Sequence, residues 1–200
     1  MKPTNKLMKR LFLYLFLVLF SFQTVSWADD IRDFQIEGMS IGDSLLDYFS
    51  KSKIKNSEEE YYSNNEFIPV YIEDESKFID YSGVQFHYKR SDKNFKIAGI
   101  EGILWFKNNI DACYKKMKEL DKELKNLFSK TERVSKENKS HAQDKSGKSK
   151  YTSIDYFLES GDAFNITCTD WTTEMGYPDN LRIALYTEEF LTWIDTKAYK

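Results

Sequence analysis

The sequence has few of the residues from which metal and catalytic sites are usually built. Only two of its 200 residues are histidine and only two are cysteine. Neither His87 nor His141 has a cysteine or a second histidine at the spacing of a zinc site. We therefore expect no metal ion and no cofactor in this protein.

The sequence also lacks an apolar run long enough to cross a membrane. The apolar run at 11–22 has 12 residues, whereas a membrane-spanning helix needs about 20. Four basic residues precede the run and Ser26-Trp27-Ala28 follows it, which is the pattern of a bacterial secretory signal peptide. We predict cleavage between Ala28 and Asp29, a periplasmic or secreted mature chain and no remaining integral membrane segment. An uncleaved N-terminal anchor is the alternative.

The predicted mature chain, residues 29–200, has no excess of basic charge. Removing residues 1–28 takes away four basic residues and no acidic one, so 25 basic and 32 acidic residues remain. This balance argues against nucleic acid as a partner, because phosphate binding needs a basic surface. Residues 107–150 are the exception, with 13 basic and 7 acidic residues. They form either a solvated helix and loop or a docking surface for anionic lipid or an acidic partner.

The two cysteines, Cys113 and Cys168, both lie in the predicted mature chain. In an oxidising compartment an even number of cysteines usually forms bridges. We therefore predict a Cys113–Cys168 disulfide. The alternative is two buried thiols that never meet.

Alternation of apolar and polar residues predicts strands that are joined mainly by short turns. Pro69 indicates an edge position for its strand, because proline cannot donate to a central ladder. The predicted strands are 32–39, 67–73, 82–90, 96–106, 151–160, 163–171 and 181–187.

The clearest predicted helix begins at Asn108 or Asn109 and runs for about 20 residues. Its apolar residues recur at spacings of three and four, which favours one face packed on a sheet over a coiled-coil seam. These residues are Ile110, Cys113, Met117, Leu120, Leu124 and Leu127. A short helix is predicted at 43–52 and a closing helix, capped by Thr187, at 188–199. Residues 131–150 have little to bury and are predicted to be a mobile charged loop.

These elements predict one α+β domain over residues 29–200, with an antiparallel sheet and the helices packed on one face. Cys113 lies on the apolar stripe of its helix, and Cys168 shares a strand face with Phe164 and Ile166. Both cysteines are therefore expected to point into the same interface between helix and sheet.

Residues 38–50, GMSIGDSLLDYFS, contain two strings found in hydrolases: G-x-S-x-G around Ser40 and G-D-S-L around Ser44. The first needs a buried strand before its serine and a helix directly after it, but Gly42 intervenes here. The second needs a base from a D-x-x-H block, and neither histidine follows an aspartate at that spacing. We assign no catalytic residue and interpret the segment as a turn in which Asp43 or Ser44 caps a helix.

Four aromatic residues fall in predicted loops or, in the case of Trp171, at the last position of a predicted strand, where a loop begins. Loop aromatics can form a platform for a sugar, a peptide or a protein partner, although they can also cover the edges of a core. The candidate binding surface consists of Tyr61, Tyr62, Trp171 and Tyr177.

Two stretches carry a resemblance to known proteins. The string I-E-G-M-S-I-G-D-S-L-L-D-Y-F and the ending F-L-x-W-I-x-x-x-A-Y resemble a family of small exported bacterial proteins of unassigned function. The first stretch is also similar, more remotely, to the small lipoprotein of the outer-membrane barrel-assembly machinery and to the β-lactamase-inhibitor protein fold. That resemblance implies a short helical segment on an antiparallel sheet and a role in binding proteins. The chain departs from the lipoprotein in having no lipidation cysteine.

These observations predict an exported, non-enzymatic domain that binds a protein or another component of the cell envelope. The alternative is a binding protein for a small ligand, such as a sugar or peptide, held between the helices and the sheet. A hydrolase that uses Ser40 or Ser44 is a remote alternative.

Overall fold

Seven antiparallel strands form one sheet in the order β1-β2-β3-β7-β6-β5-β4. The structure, a computed structural model, describes residues 30–60, 62–74, 76–129 and 131–200; the predicted signal peptide and its cleavage site lie outside these residues. The strands are β1 (Phe67–Ile72), β2 (Gly83–Lys89), β3 (Ile97–Trp105), β4 (Glu132–Ser140), β5 (Lys150–Phe157), β6 (Ala163–Asp170) and β7 (Asn180–Tyr186). The helices are α1 (Lys51–Asn56), α2 (Ile110–Leu127) and α3 (Glu188–Thr196). The fold is thus α+β, as predicted, and consists mostly of sheet.

Two meanders build the sheet. Strands β1 to β3 follow one another at one side, and α2 then carries the chain to the opposite edge. Strands β4 to β7 return toward the middle, where β7 pairs with β3. The predicted edge position of Pro69 is confirmed, because β1 is the first strand in the order. The central strand β7 therefore pairs on one side with a strand of the other meander, β3.

The strand register divides the sheet into two faces. The first face carries apolar residues on every strand from β1 to β7 except β4, including Phe86, Ile100, Leu181 and Leu185. The second face, defined by the alternate positions, carries His87 on β2, Glu101 on β3, Arg182 on β7 and Asn165 on β6. The second face is therefore the more polar of the two.

Helix α2 packs on the first face and carries the predicted disulfide. Asn109 caps it by accepting a hydrogen bond from the backbone N–H of Ala112. Cys113 is bridged to Cys168 of β6, with a Cα–Cα distance of 6.0 Å. The predicted helix and the predicted pairing are both confirmed, although Leu127, the last residue of the apolar stripe, is largely exposed.

Helix α3 packs on the second face. Thr187 caps it as predicted, accepting a hydrogen bond from the N–H of Phe190. The ring of Phe190 lies 4.4 Å from that of His87 and 5.4 Å from that of Tyr186, and both of these residues belong to the second face. A small second core forms there around Phe67, Phe190 and Trp193. The predicted arrangement with helices on one face is therefore wrong for α3.

The N-terminal segment differs from its prediction. Residues 32–39 do not form a strand; Ile36 and Met39 close a tight turn in which Glu37 and Gly38 have φ of 52° and 77°. Phe34 and Ile36, whose alternation predicted the strand, both pack into the main core without forming a strand. The helix predicted at 43–52 is a single 3₁₀ turn at Leu45–Asp47, followed by the separate helix α1.

Residues 132–140, predicted to lie in a mobile loop, form the edge strand β4. It pairs with β5 through seven residue pairs, and the register is interrupted once, between Lys136 and Lys139. Arg133 of β4 forms an ion pair with Asp121 of α2, which ties the strand to the helix. A polar edge strand has no apolar alternation, and this is the reason that the pattern did not reveal it. None of the helices within the described ranges has the length and apolar character that a membrane crossing requires.

Candidate binding surface

The predicted aromatic surface is divided in the structure. Tyr61 lies outside the described residues. Trp171 and Tyr177 are in contact, with ring centroids 5.0 Å apart. Tyr62 packs elsewhere, against Trp193 of α3 and Tyr199, at 4.9 Å and 5.5 Å. Two of the four predicted residues therefore form one site, and a third belongs to the core beneath α3.

Trp171 and Tyr177 belong to a larger cluster of rings. The ring of His141 lies 4.3 Å from that of Trp171 and 6.1 Å from that of Tyr151. We call these four residues, His141, Tyr151, Trp171 and Tyr177, the aromatic patch. Trp171 is buried beneath the others, whereas Tyr177 is 47% exposed. The patch thus has a fixed base and one large aromatic ring that solvent can reach.

Two short loops hold the aromatic patch in place. In the β4–β5 turn the carboxylate of Asp144 accepts hydrogen bonds from the backbone N–H groups of Ser146 and Ser149, at 2.8 Å each. Hydrogen bonds from the Ser146 hydroxyl, and then from the backbone and hydroxyl of Ser149, hold the pKa of Asp144 far below its usual range. In the β6–β7 loop Asp179 accepts from the N–H of Trp171 at 3.1 Å. Carboxylates therefore order both loops by accepting from the backbone.

The imidazole of His141 is expected to stay neutral at pH 7. Burial, and then the charge of Arg182, lower its pKa from 6.5 to about 4. Because the folded-state pKa is depressed, the stability from neutral His141 is complete above about pH 6.5 and is lost as the pH falls toward 4. An NMR titration of the His141 ring, assigned with a His141→Gln variant, measures this midpoint. A midpoint near 6.5 would show that the ring is not packed as described.

A buried cluster of charged and polar side chains lies beside α3 at the centre of the second face. Glu101 forms an ion pair with Arg182 at 2.5 Å, and its other carboxylate oxygen accepts a hydrogen bond from Nε2–H of His87 at 2.9 Å. The side-chain oxygen of Gln85 accepts from Arg182 at 3.3 Å. Nδ1 of His87 is buried and makes no hydrogen bond to any residue that the structure describes.

The charges in this cluster depend on one another. Burial alone would raise the pKa of Glu101, but the charge of Arg182 and the contacts with His87 outweigh it and lower the pKa to about 2. Burial raises the pKa of the neighbouring Tyr186 well above its usual value, and the charge of Glu101 adds to the effect. We therefore assign the cluster a structural role, in which Arg182 compensates a buried carboxylate.

Arg182 also links the cluster to the aromatic patch. Its charge acts on the pKa of His141 in the patch and on that of Tyr199, which packs against Tyr62. Coulomb interactions fall with distance, so both rings lie within reach of the guanidinium. The charge of Arg182 therefore favours the neutral form of His141 and opposes the rise in the pKa of Tyr199 that burial causes.

The two serines of the hydrolase-like strings make structural contacts. The hydroxyl of Ser40 donates to the backbone carbonyl of Phe34 at 3.0 Å. That of Ser44 donates to the carbonyl of Asn94 at 2.6 Å and accepts from the N–H of Leu46 at 3.2 Å. The predicted cap is thus confirmed for Ser44. Gly42, with φ of 89°, makes the turn between the two serines.

A cavity of about 180 Å³ lies on the first face, between α2, the segment 34–36 and the sheet. Most of its lining is aliphatic or aromatic, and the side chains with polar atoms are Gln35, Tyr81 and Glu123. It occupies the interface between helix and sheet where the sequence suggested a small-ligand site as an alternative.

Sequence reasoning missed the buried cluster and His141. A signal for the cluster was present: Glu101 and Arg182 are single charges of opposite sign inside the apolar strands IAGIEGILW and NLRIALY. Isolated opposite charges in two buried strands indicate a pair, because a buried charge needs a partner. His141 had no comparable signal, since its environment is created by the distant residues Tyr151 and Trp171.

Among the described residues no group of three or more histidine, cysteine, aspartate or glutamate side chains is arranged to hold a metal ion. In comparisons with models of protein families, with curated proteins and with solved structures, the chain has no match.

Proposed function

We propose that this protein is an exported, non-enzymatic domain that binds a protein or another component of the cell envelope through its aromatic patch. The proposal rests mainly on the contact between exposed Tyr177 and buried Trp171, 5.0 Å apart. The signal-peptide pattern of residues 1–28 supports export to the periplasm or beyond. The resemblance of residues 36–49 to exported and protein-binding groups supports the same role.

The physical properties of the aromatic patch suit binding. A tyrosine ring supplies a large contact area and a hydroxyl, and it loses little conformational entropy when a partner covers it. Tyr177 packs against Trp171, which in turn packs against His141, so little reorganisation is needed on association. Aromatic side chains that are held in this way commonly supply most of the energy of an interface.

Replacement of Tyr177 by serine is expected to weaken partner binding by roughly 30-fold, because truncation of an aromatic hot spot costs about 2 kcal/mol. The measurement is affinity capture from an envelope extract, followed by titration of the captured component with purified wild-type and variant chains. Ile79→Ser is the matched control, because Ile79 is also an exposed apolar side chain, 91% accessible, but lies outside the patch.

A component captured by the wild-type chain and by Ile79→Ser but lost from Tyr177→Ser would support the proposal. Two results would contradict it: capture of no component above the level of a matched unrelated protein, or equal affinity for all three chains.

A second candidate function is the binding of a small ligand between α2 and the sheet. The cavity of about 180 Å³ at that interface is the observation that favours it. Apolar pockets with a few polar groups are the usual form of small-molecule sites.

A further inference from the structure

The cavity on the first face opens the centre of the sheet to solvent. Leu181, Ile183 and Leu185 alternate along β7 and share this face. Leu181 and Leu185 are fully buried, but Ile183, between them, is only partly buried. Because Ile183 lies in the middle of the central strand, its side chain is expected to be the most deeply buried of the three. Ile183 is less covered because it forms part of the cavity wall.

The size of the cavity limits what it can hold. Its volume of about 180 Å³ is below the roughly 300 Å³ at which pockets for drug-sized molecules begin. An engineered apolar cavity of about 150 Å³ in another protein stays dry and binds benzene. Here Leu120 and Leu124 of α2 face Phe164 and Ile183 of the sheet across a similar space. A molecule the size of one substituted aromatic ring fits this volume.

The polar side chains that line the cavity are either acidic or uncharged. Glu123 and Gln35 are exposed at the rim, whereas Tyr81 is partly buried over Gly102. Burial raises the pKa of Tyr81 to about 12, and the charges of Asp80 and Glu37 add to the rise. Among the described residues of the lining, Glu123 is therefore the one charged side chain, and no basic side chain belongs to the lining.

We propose that this cavity binds a small apolar molecule, about the size of one substituted aromatic ring, whose polar end is neutral or cationic. The inference deepens the second proposed function and is independent of the aromatic patch. Leu120, Leu124, Phe164 and Ile183 contact the apolar body, and Tyr81 and Glu123 face its polar end. A carboxylate at that end is disfavoured by the charge of Glu123.

Three probes with the same aromatic body and different charge test the inference: ethylbenzene, 2-phenylethylamine and 3-phenylpropionate. Each is titrated into the full mature chain at pH 7, and binding is followed by NMR of the methyl groups. Saturable shifts are expected for the methyls of Leu120, Leu124 and Ile183 with the first two probes, and no shift for the exposed methyls of Ile79. The carboxylate is expected to bind at least about tenfold more weakly than the amine, because like charges repel.

Two variants sharpen the test. Glu123→Gln changes an exposed residue, so the fold is retained, and the discrimination between amine and carboxylate should fall to about threefold or less. Leu120→Trp fills the cavity and should abolish the shifts with all probes. Because Leu120→Trp can fail to fold, the Glu123→Gln result stands as the decisive comparison.

The remaining outcomes of these titrations would each contradict a specific claim. Failure of all three probes to shift the cavity methyls would overturn the inference. Equal binding of all three probes would leave the small-ligand function in place but overturn the inference about the polar end. Shifts confined to methyls outside the cavity would also overturn the inference.

Discussion

Replacement of both Cys113 and Cys168 by alanine is expected to lower the free energy of unfolding by about 4 kcal/mol, because the bridge closes a long loop in the unfolded chain. The two residues are separated by 55 positions, and in the chain-entropy model the effect grows with the logarithm of that separation. Folded domains are typically stable by about 5–15 kcal/mol, so the loss is a large share of the total.

Urea denaturation of the oxidised wild type, the reduced wild type and the double-alanine variant measures this effect. The midpoint is expected to fall by roughly 2 M urea in both reduced and variant chains, given typical denaturant slopes. Reductant should not change the urea midpoint of the variant, because the variant has no disulfide. The variant is therefore the control for side effects of the reagent. A loss below about 1 kcal/mol would show that α2 and β6 stay together in the unfolded chain without the bridge.

The second large effect is expected at the buried ion pair of the second face. Arg182→Met should lower the free energy of unfolding at pH 7 by about 3–5 kcal/mol, because it leaves the carboxylate of Glu101 buried without its cation. Glu101 is 5% exposed, so water compensates little of the loss. The remaining contact with His87, at 2.9 Å, does not replace a permanent positive charge.

The pH dependence of this effect has a definite sign. In the wild type the pKa of Glu101 is lowered from 4.5 to about 2, so its stabilising contribution is complete above about pH 4.5 and is lost as the pH falls toward 2. Without Arg182, burial raises that pKa, and the variant gains stability as Glu101 takes up a proton. The difference in the free energy of unfolding between wild type and variant should therefore decrease below about pH 5, as measured by urea denaturation at several pH values.

The double variant Arg182→Met/Glu101→Met is the control for this prediction. Replacement of a buried ion pair by apolar side chains is often neutral, so the double variant should recover most of the stability that the single variant loses. If the double variant were as unstable as Arg182→Met alone, the loss would come from packing around residue 182 and not from the unpaired charge.

Features that depend on local periodicity could be predicted from the sequence. The apolar stripe from Ile110 to Leu124 specifies α2, and the alternation around Cys168 specifies a strand face. Once both are placed in one interface, the disulfide follows. The caps Asn109 and Thr187 were predictable for the same reason, since a cap acts within three residues of itself.

Features that depend on tertiary contacts could not be predicted in this way. The position of β7 between β3 and β6 is set by side-chain packing over both meanders, which periodicity does not encode. The second core under α3 is not predictable from the periodicity either, because His87 alternates with apolar residues and this pattern is typical of a side chain that faces solvent. Polar residues on a sheet face can be buried when a helix covers them, and the sequence of β2 does not show that α3 does so.

The candidate binding surface was predictable only in part. Aromatic residues in loops identified Trp171 and Tyr177, because large apolar rings are uncommon in loops unless they pack or bind. The same criterion selected Tyr62, which instead supports α3 through its contact with Trp193. The contribution of His141 depends on the β4–β5 turn, and that turn follows a strand that has no apolar pattern.

The position of β7 has a consequence for the order of folding. The last strand in the chain is also the strand that joins the two meanders. Until residues 180–186 are synthesised, β3 and β6 each expose a row of unpaired backbone groups, and such edges promote aggregation. Hairpins within each meander form from nearby residues, but the β3–β7 pairing joins residues about 80 positions apart. The union of two preformed halves, rather than the growth of either, is therefore expected to limit the folding rate.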